Sequence, residues 1–442
     1  MKTPPYALTR APQGAALADR QSRLRGARDR AAPVSYGAAA KPESAVPHPD
    51  LPLQLLGGLS PAQFMRRYWQ RRPLLIRQAI PGLRPPVPAA ELRRMARRDD
   101  VQSRLIWREG GQWCMEPGPF ARLPAAGSAG WTLLVQSVEQ YHDAASDLMQ
   151  RFRFVPDARL DDLMISIAGD AGGVGPHFDS YDVFLLQAQG RRRWRIGRQR
   201  DLSLEPGLPL KILRDFVPEE EYLLEPGDML YLPPQVAHDG VAEGGGCMTI
   251  SVGFRAPDRA ALARGMLEAA AEQVAARAGL GAGPYGDPPL PGPDLSARYR
   301  DPGQPAACHP AELPQRLLDE TLAAAARVSL DEALAARFLG CWLTEPHREA
   351  VFDEPATPPP DLAAGWPAAG ALRLDRRTRM LYRGRELFIN GERAPVPASP
   401  LLRRLADERR LDCAAPACRR ASPAERGCLV QWLDNGWLHY VM

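Results

Sequence analysis

Between Leu163 and Phe254 the chain consists of short apolar segments that are separated by turns rich in proline and glycine. Apolar runs of about four to eight residues have the length of β-strands and are shorter than most helices. Many short strands joined by such turns are typical of a β-sandwich or a jelly roll. The predicted strands are Leu163–Ala168, Tyr181–Gln187, Arg193–Ile196, Glu221–Leu224, Met229–Leu232 and Met248–Phe254, with a turn at Gln189–Gly190.

The pattern on either side of this stretch is mixed. Upstream, Ser60 followed by Pro61 suits the start of a helix, and the segment 135–152 is predicted to be helical. After Pro257 the residues 259–278, rich in Ala, Leu, Glu and Arg, predict one long helix. The last hundred residues combine short helices with a hairpin that turns at Asn390-Gly391, which is typical of a winged-helix-like module.

These patterns divide the chain into four parts. We predict an α+β protein with a disordered basic leader at 1–50, a β-rich domain at 51–257, a helical region at 258–345 and a winged-helix-like domain at 346–442. The small residues of the helical region suit close packing between helices, so we expect a homodimer through it.

Composition and charge exclude several classes of protein. The 442 residues are 45% hydrophobic and 24% charged, which is ordinary for a globular protein. Residues 1–50 have a net charge of +4, and the rest has equal numbers of acidic and basic residues, so the body as a whole is not the basic domain expected of a nucleic-acid-binding protein. No apolar stretch is long enough for a membrane helix. The seven cysteines are scattered without C-x-x-C spacing, which predicts free thiols and a cytoplasmic location.

The glycine-rich run 172–175 leads into a candidate metal site. His177 and Asp179 are two residues apart, so on a strand their side chains point to the same face. His238 follows the end of another predicted strand. Two histidines and one carboxylate form the facial triad of non-haem Fe(II) oxygenases. We therefore predict that His177, Asp179 and His238 bind iron and leave positions open for O₂ and an organic co-substrate.

The run Arg191–Arg195 contains a candidate co-substrate residue. Alternation places Arg192 and Trp194 on one face of the strand, and the tryptophan indicates that this face is buried. A buried arginine needs a partner, and a guanidinium suits the remote carboxylate of a dicarboxylic acid. We predict that Arg192 binds 2-oxoglutarate, whose other end would chelate iron.

These motifs resemble the JmjC branch of the 2-oxoglutarate oxygenases, within the cupin superfamily. The chain is most similar to the bacterial ribosomal oxygenases, which hydroxylate an arginine of a large-subunit ribosomal protein, and the similarity covers roughly residues 51–260. The segments that carry it are Asp161–Ser166, Val174–His177, Tyr181–Phe184, Gly190–Trp194, Pro226–Asp228 and Ser251–Pro257.

The resemblance implies a double-stranded β-helix core, a helical dimerisation region and a C-terminal winged helix. It also implies that Ser166 is a second contact of 2-oxoglutarate. The chain departs from the family at Phe178 and at Asp170-Ala171, none of which is a ligand position, and residues 1–50 have no counterpart.

The substrate side is less determined by the sequence. Tyr181 and Asp182 follow the metal ligands and are candidates to hold a cationic substrate side chain, although Tyr181 could equally be a packed aromatic residue. Residues 371–393 have a local net charge of +4, which fits either docking near rRNA or an acidic partner, or a solvated hairpin. Two alternatives to arginine hydroxylation remain: a demethylase of methylated arginine or lysine, and a non-enzymatic metal-binding cupin that binds ribosomes or RNA.

Overall fold

The computed structural model describes residues 46–353, 360–362 and 365–442. The leader predicted to be disordered, residues 1–50, lies outside the described residues except for 46–50. Among the helices described, none combines the length and the apolar character needed to cross a membrane.

In the described part of the chain, nine antiparallel strands form one sheet, in the order β1-β8-β6-β9-β5-β4-β2-β3 with β7 paired to β6. Period-two alternation fixes the faces: Leu163 and Ile165 of β5 enter the main hydrophobic core, whereas Ser166 lies on the opposite face. The strands are β1 (Leu74–Ile76), β2 (Ser103–Glu109), β3 (Gln112–Pro117), β4 (Trp131–Val135), β5 (Leu160–Ala168), β6 (Val183–Gly197), β7 (Glu220–Leu224), β8 (Met229–Leu232) and β9 (Ala237–Phe254).

The two longest strands, β6 and β9, run through both halves of the sheet. Their register shifts on either side of Gln189, and Gly190 adopts a φ of 64°. The prediction of two strands around a turn at Gln189–Gly190 is therefore wrong, because the chain bends within one continuous strand. Val183 from the first half of β6 and Trp194 from the second half share one hydrophobic core. The two halves thus face each other, and the predicted jelly-roll core is confirmed.

The outer face of the sheet is covered by helices. The helix α1 starts at Ser60, which forms a capping box with Gln63, and it places Phe64 against Phe184 and Tyr231. The prediction of a helix over 135–152 was wrong in its first part, since β4 ends at Val135 and a 3₁₀ turn follows. The helices of this region are α1 (Pro61–Arg67), α2 (Ala89–Met95) and α3 (Asp143–Gln150), with 3₁₀ turns at Gln54–Leu56 and Val138–Gln140.

The C-terminal part confirms the α+β class. Two small sheets, in the orders β14-β10-β15 and β11-β12-β13, combine with short helices, and the predicted turn at Asn390-Gly391 joins two of the strands. The helices are α4 (Arg259–Arg277), α5 (Gln315–Ala326), α6 (Glu332–Thr344), α7 (Pro400–Glu408), α8 (Pro416–Arg419) and α9 (Pro423–Asp434). The strands are β10 (Ala371–Leu374), β11 (Met380–Arg383), β12 (Glu386–Ile389), β13 (Glu392–Arg393), β14 (Arg410–Asp412) and β15 (Leu438–Val441).

Six of the seven arginines of residues 371–393 are bonded inside the chain. Several of them reach the β-rich domain, so they attach the C-terminal module to it. The net charge of this hairpin is therefore matched, which corrects its interpretation as an open basic surface for rRNA. The bonds are Arg373–Asp147 (2.6 Å), Arg376–Asp143 (2.9 Å), Arg377–Asp353 (3.2 Å), Arg383–Glu332 (2.6 Å), Arg393–Glu386 (3.0 Å) and Arg379 to the carbonyl of Asp161 (3.1 Å).

Candidate metal centre

The backbone brings the two predicted histidine ligands together. His177 and His238 form an isolated antiparallel bridge, in which each amide donates to the other residue's carbonyl, at 2.9 and 2.8 Å. Their rings lie 4.2 Å apart between centroids. The loop that carries Asp179 is tied to the same place, because the amide of Gln235 donates to the Asp179 carbonyl at 2.7 Å.

The imidazoles are oriented through their Nδ1 atoms. Nδ1 of His177 lies 2.9 Å from the Gly175 carbonyl and Nδ1 of His238 lies 2.9 Å from the Val236 carbonyl, so each Nδ1–H donates to backbone. This tautomer leaves each Nε2 lone pair free for a metal. Burial, and then the neighbouring His177, lowers the pKa of His238 to about 4, which keeps it in the neutral form that a metal ligand requires.

The donor atoms fit a metal ion. One ligand atom each from His177, Asp179 and His238 lies within 4.8 Å of the others. Two imidazoles and one carboxylate are the donor set that non-haem Fe(II) oxygenases use, with the remaining positions open. The structure thus brings together all three residues predicted as ligands.

Two glycines allow the ligands to approach each other. Gly175 adopts a φ of 81°, and a Cβ there would lie 2.7 Å from the ring of Trp113. Gly240 lies under Trp194, where a Cβ would be 2.6 Å from the indole. A larger residue at either position would displace an aromatic ring, so Gly175 of the glycine-rich run and Gly240 of β9 each have a geometric role.

Arg192 is 3% exposed and faces the interior with Trp194, as alternation predicted. Its Nη1 donates to the Gly240 carbonyl at 3.1 Å, but its Nε and Nη2 are buried without a hydrogen-bond partner among the residues that the structure describes. Arg193, on the opposite face, pairs instead with Glu221 and Glu243. Because an unpartnered buried guanidinium is costly, these two nitrogens indicate the place of an anionic ligand.

Ser166, the second predicted co-substrate contact, is also buried on the inner face. Its Oγ lies 3.4 Å from the Thr249 carbonyl, which is at the limit of a hydrogen bond. Thr249 in turn donates to Gln187 at 3.0 Å. Ser166 therefore begins a row of polar side chains across the middle of the sheet, near the bend that precedes Arg192.

Tyr181 and Asp182 have different surroundings. Tyr181 is half-buried and packs against the inner core that contains Trp194. Asp182 is 0% exposed, and its carboxylate accepts from the Tyr231 hydroxyl at 2.6 Å and from Gln70 at 2.9 Å, with Arg159 at 3.5 Å. The prediction that Asp182 contacts the substrate is corrected, because the carboxylate is sealed on the outer face and already has partners.

A carboxylate that the sequence interpretation did not single out lies on the inner face. The register of β5 shifts between Leu160 and Leu163, so Asp161 and Asp162 both stand opposite Gly253. The Asp162 Oδ1 would be 3.2 Å from a Cβ on Gly253, and the Tyr181 ring 3.8 Å. Asp162 and Tyr181 thus flank one glycine. The signal in the sequence was the Asp161-Asp162 pair, but alternation cannot reveal a bulge.

Asp162 is partly exposed and has no cation at ion-pair distance among the described residues. Gln136 donates to its Oδ2 at 2.9 Å, and Arg104 donates in turn to Gln136. Burial, and then the charge of Asp161, raises the pKa of Asp162 to about 7. A cation placed beside it would favour the ionised form.

Comparisons with known proteins agree with this site. The chain matches the JmjC domain over residues 147–262 and the ROXA-like winged helix over residues 323–439. It is 34% identical to the ribosomal protein uL16 3-hydroxylase of Escherichia coli, over 78% of this chain and 87% of that protein. It is 30% identical to a probable ribosomal oxygenase of Haemophilus influenzae, over 86% of this chain and 96% of that protein.

Solved structures show the same similarity. A crystal structure of E. coli YcfD has a TM-score of 0.70 at 30% identity and covers 86% of this chain and 97% of that one. A structure of the same ribosomal oxygenase in complex with cobalt and 2-oxoglutarate has a TM-score of 0.68 over the same shares.

The jelly roll and its triad define the class, a non-haem metal oxygenase with a JmjC domain. Within that class, the chain belongs to the family of bacterial ribosomal oxygenases.

Proposed function

We propose that this protein is an Fe(II)- and 2-oxoglutarate-dependent hydroxylase that modifies an arginine side chain of a large-subunit ribosomal protein. The observation that carries the proposal is the buried Arg192 on the face that also holds the triad. Its Nε and Nη2 have no hydrogen-bond partner in the described part of the chain. A structural cupin has no need of an orphaned internal guanidinium, so this observation favours an enzyme over the non-enzymatic alternative.

Each residue of the site has a defined task. His177, Asp179 and His238 hold Fe(II), and the bonds of the two Nδ1 atoms fix the orientation of the imidazoles. Arg192 binds the distal carboxylate of 2-oxoglutarate, with Ser166 as a second donor from β5. Iron, 2-oxoglutarate and O₂ together supply the oxidising power for an unactivated C–H bond. The chain contributes ligation, orientation and a closed pocket.

The inner face offers a place for a cationic side chain. The name of the E. coli relative specifies oxidation at position 3, the β carbon, and the guanidinium of an arginine lies four bonds farther on. Tyr181 is two residues from the ligand Asp179, at most about 7 Å along the backbone, and Asp162 lies next to Tyr181 across Gly253. We therefore assign Asp162 as the partner of the guanidinium and Tyr181 as a ring that packs against the side chain.

The test is mass spectrometry on purified protein with Fe(II), 2-oxoglutarate and peptides from large-subunit ribosomal proteins. A mass increase of one oxygen atom on an arginine is the expected product. Loss of a methyl group from a methylated arginine or lysine would instead favour the demethylase. Absence of succinate formation under all conditions would favour the non-enzymatic cupin.

We also propose a homodimer through the helical region. Among the residues of α5 none is buried, although the helix is amphipathic. Its apolar side chains are exposed in this chain, which fits a surface covered by a second copy. The exposed residues on and beside α5 are Leu313, Leu317, Leu318, Leu322 and Leu330. Light scattering at micromolar concentration that shows only monomer would contradict this proposal.

A cytoplasmic location completes the proposal. All seven cysteines are free thiols in the structure, as expected in a reducing compartment, and the proposed substrate is a ribosomal protein. The domain boundaries at 257 and 345 stay a proposal; the first is supported by the end of β9 at Phe254 and the start of α4 at Arg259.

A further inference from the structure

Residues 51–90 contain six arginines and no acidic residue. This segment includes α1 and β1, and it lies within a body, residues 51–442, that has equal numbers of acidic and basic residues. Arg77 is matched, since its guanidinium bonds Asp228 at 2.6 Å. The other five are Arg66, Arg67, Arg71, Arg72 and Arg84.

Four of these arginines form a patch at the end of α1, which we call the α1 patch: Arg66, Arg67, Arg71 and Arg72. All four are exposed, and none makes an ion pair or a side-chain hydrogen bond with a residue that the structure describes. Arg72 alone has a contact, with its guanidinium 4.6 Å from the centroid of the Tyr68 ring. The negative end of the helix dipole stabilises Arg66 and Arg67 in the last turn of α1. Arg71 and Arg72 lie beyond that turn, so the dipole does not explain them.

The hairpin at 371–393 is a comparison case, because its arginines contribute to the fold by bonding other residues of the chain. There, six arginines have partners inside the chain, most of them aspartate or glutamate. The α1 patch has four like charges within seven residues and no such partner. Because concentrated like charges repel each other, this arrangement points to an external anion.

The α1 patch is close to the loop that carries the metal ligands. Gln70, with a φ of 55°, turns the chain between the two pairs of arginines, and its side chain donates to Asp182. Asp182 is three residues from the ligand Asp179. A partner held by the patch would therefore lie near the segment that builds the active site.

The chemistry of the surface favours a nucleic acid over a protein. Among residues 52–90 no large apolar side chain is exposed, whereas protein interfaces bury an apolar centre. Arginine forks match phosphate oxygens. We propose that the α1 patch binds the phosphate backbone of RNA without sequence specificity, and that the enzyme thereby engages a ribosomal protein together with its RNA. The binding of RNA does not depend on the proposed function; only the joint engagement of a ribosomal protein and its RNA rests on it.

The test is the affinity of the full-length protein for a fluorescein-labelled single-stranded RNA of mixed sequence, measured by anisotropy over a salt series. Four phosphate contacts predict a slope of log K against log[salt] of about −2.8. The variant R66Q/R67Q/R71Q/R72Q should lose most of this slope and at least about tenfold in affinity at low salt. R66K/R67K/R71K/R72K, which keeps the charge, should retain binding.

The matched control is R410Q/R419Q/R420Q/R426Q, which removes the same charge from the winged helix and should bind RNA like the wild type. Equal losses in the two glutamine variants, or no RNA binding by the wild type, would overturn the proposal. Displacement of RNA by polyglutamate at equal charge concentration would assign the patch to an acidic protein instead. Hydroxylation of a free peptide should be the same in all variants, so failure of the proposed reaction is distinguishable from failure of RNA binding.

Discussion

Arg192 and Asp182 are two buried charges of the same β-strand region with opposite surroundings. Asp182 faces the outer side, where Tyr231, Gln70 and Arg159 from three other segments surround its carboxylate. Arg192 faces the inner side, where Nη1 donates to one backbone carbonyl and the other two nitrogens have no partner among the described residues. The fold itself supplies the partners of the Asp182 carboxylate, whereas we propose that a ligand supplies those of the Arg192 guanidinium. Burial alone would not have separated the structural residue from the binding residue.

The difference also has an energetic meaning. A buried donor without a partner costs about 1–3 kcal/mol, and the chain tolerates that cost at Arg192. A dicarboxylate would remove it on binding and gain charge-assisted hydrogen bonds. No comparable gain is open at Asp182, whose hydrogen-bonding partners are already in place.

The largest expected effect concerns the metal ligands, because the role of Arg192 depends on a metal in the same cavity. Asp179→Ala removes the only anionic ligand and should abolish succinate formation and weaken iron binding. The melting temperature of the iron-free protein should change little, since Asp179 is tied to the fold through its backbone carbonyl. Wild-type turnover in this variant, or in His177→Ala or His238→Ala, would remove the triad assignment.

Asp182→Ala tests the structural half of the comparison. It removes the acceptor of two buried hydrogen bonds and should lower the free energy of unfolding by roughly 3 kcal/mol, measured by urea denaturation. Asp182→Asn, which keeps one acceptor oxygen, should cost less. The KM for 2-oxoglutarate should stay at its wild-type value in the asparagine variant. A rise in that KM with unchanged stability would reverse the roles assigned to the two charges.

Arg192→Ala tests the binding half. Loss of charge-assisted hydrogen bonds of about 1.5–3 kcal/mol predicts an increase of the KM for 2-oxoglutarate of about 10- to 150-fold, without loss of stability. Arg193→Ala is the matched control, because Arg193 lies on the outer face and pairs with the exposed Glu221 and the half-buried Glu243. Equal increases in the two variants would contradict the assignment of faces.

The sequence predicted the chemistry better than the path of the chain. The spacing of His177, Asp179 and His238 and the alternation around Arg192 are local signals. The first predicted the cluster of donor atoms, and the second predicted that Arg192 is buried. The prediction of a turn at Gln189–Gly190 was wrong because a glycine is equally typical of a bend within one strand and of a turn between two strands. The helix predicted over 135–152 began too early, because the last residue of β4, a 3₁₀ turn and the helix α3 together show apolar residues at helical spacing.

The residues proposed to contact the substrate could not be predicted from the sequence, because alternation is a local signal. Alternation assigns a residue to a face but does not tell which face is covered by another element. Asp182 was expected to face the substrate, but Gln70, Arg159 and Tyr231 from other segments surround its carboxylate. Asp162 was missed because a bulge changes its register. Both errors come from contacts between segments that are distant in the sequence.

The smallest expected effect is a pH dependence at Asp162. This third charged group has a hydrogen-bond partner, unlike most of the Arg192 guanidinium, but it has no cation at ion-pair distance among the described residues. Its pKa is raised to about 7 by burial and by Asp161, with Arg104 as the facing cation, so the ionised fraction falls as the pH falls through that value. Because only the ionised form attracts a guanidinium, the KM for an arginine peptide should rise about tenfold between pH 8 and pH 6. The KM for 2-oxoglutarate, for which we propose Arg192 as the binding residue, should not follow this profile. Asp162→Asn should show a high peptide KM that does not change with pH, and a wild-type profile in that variant would assign the guanidinium to another residue.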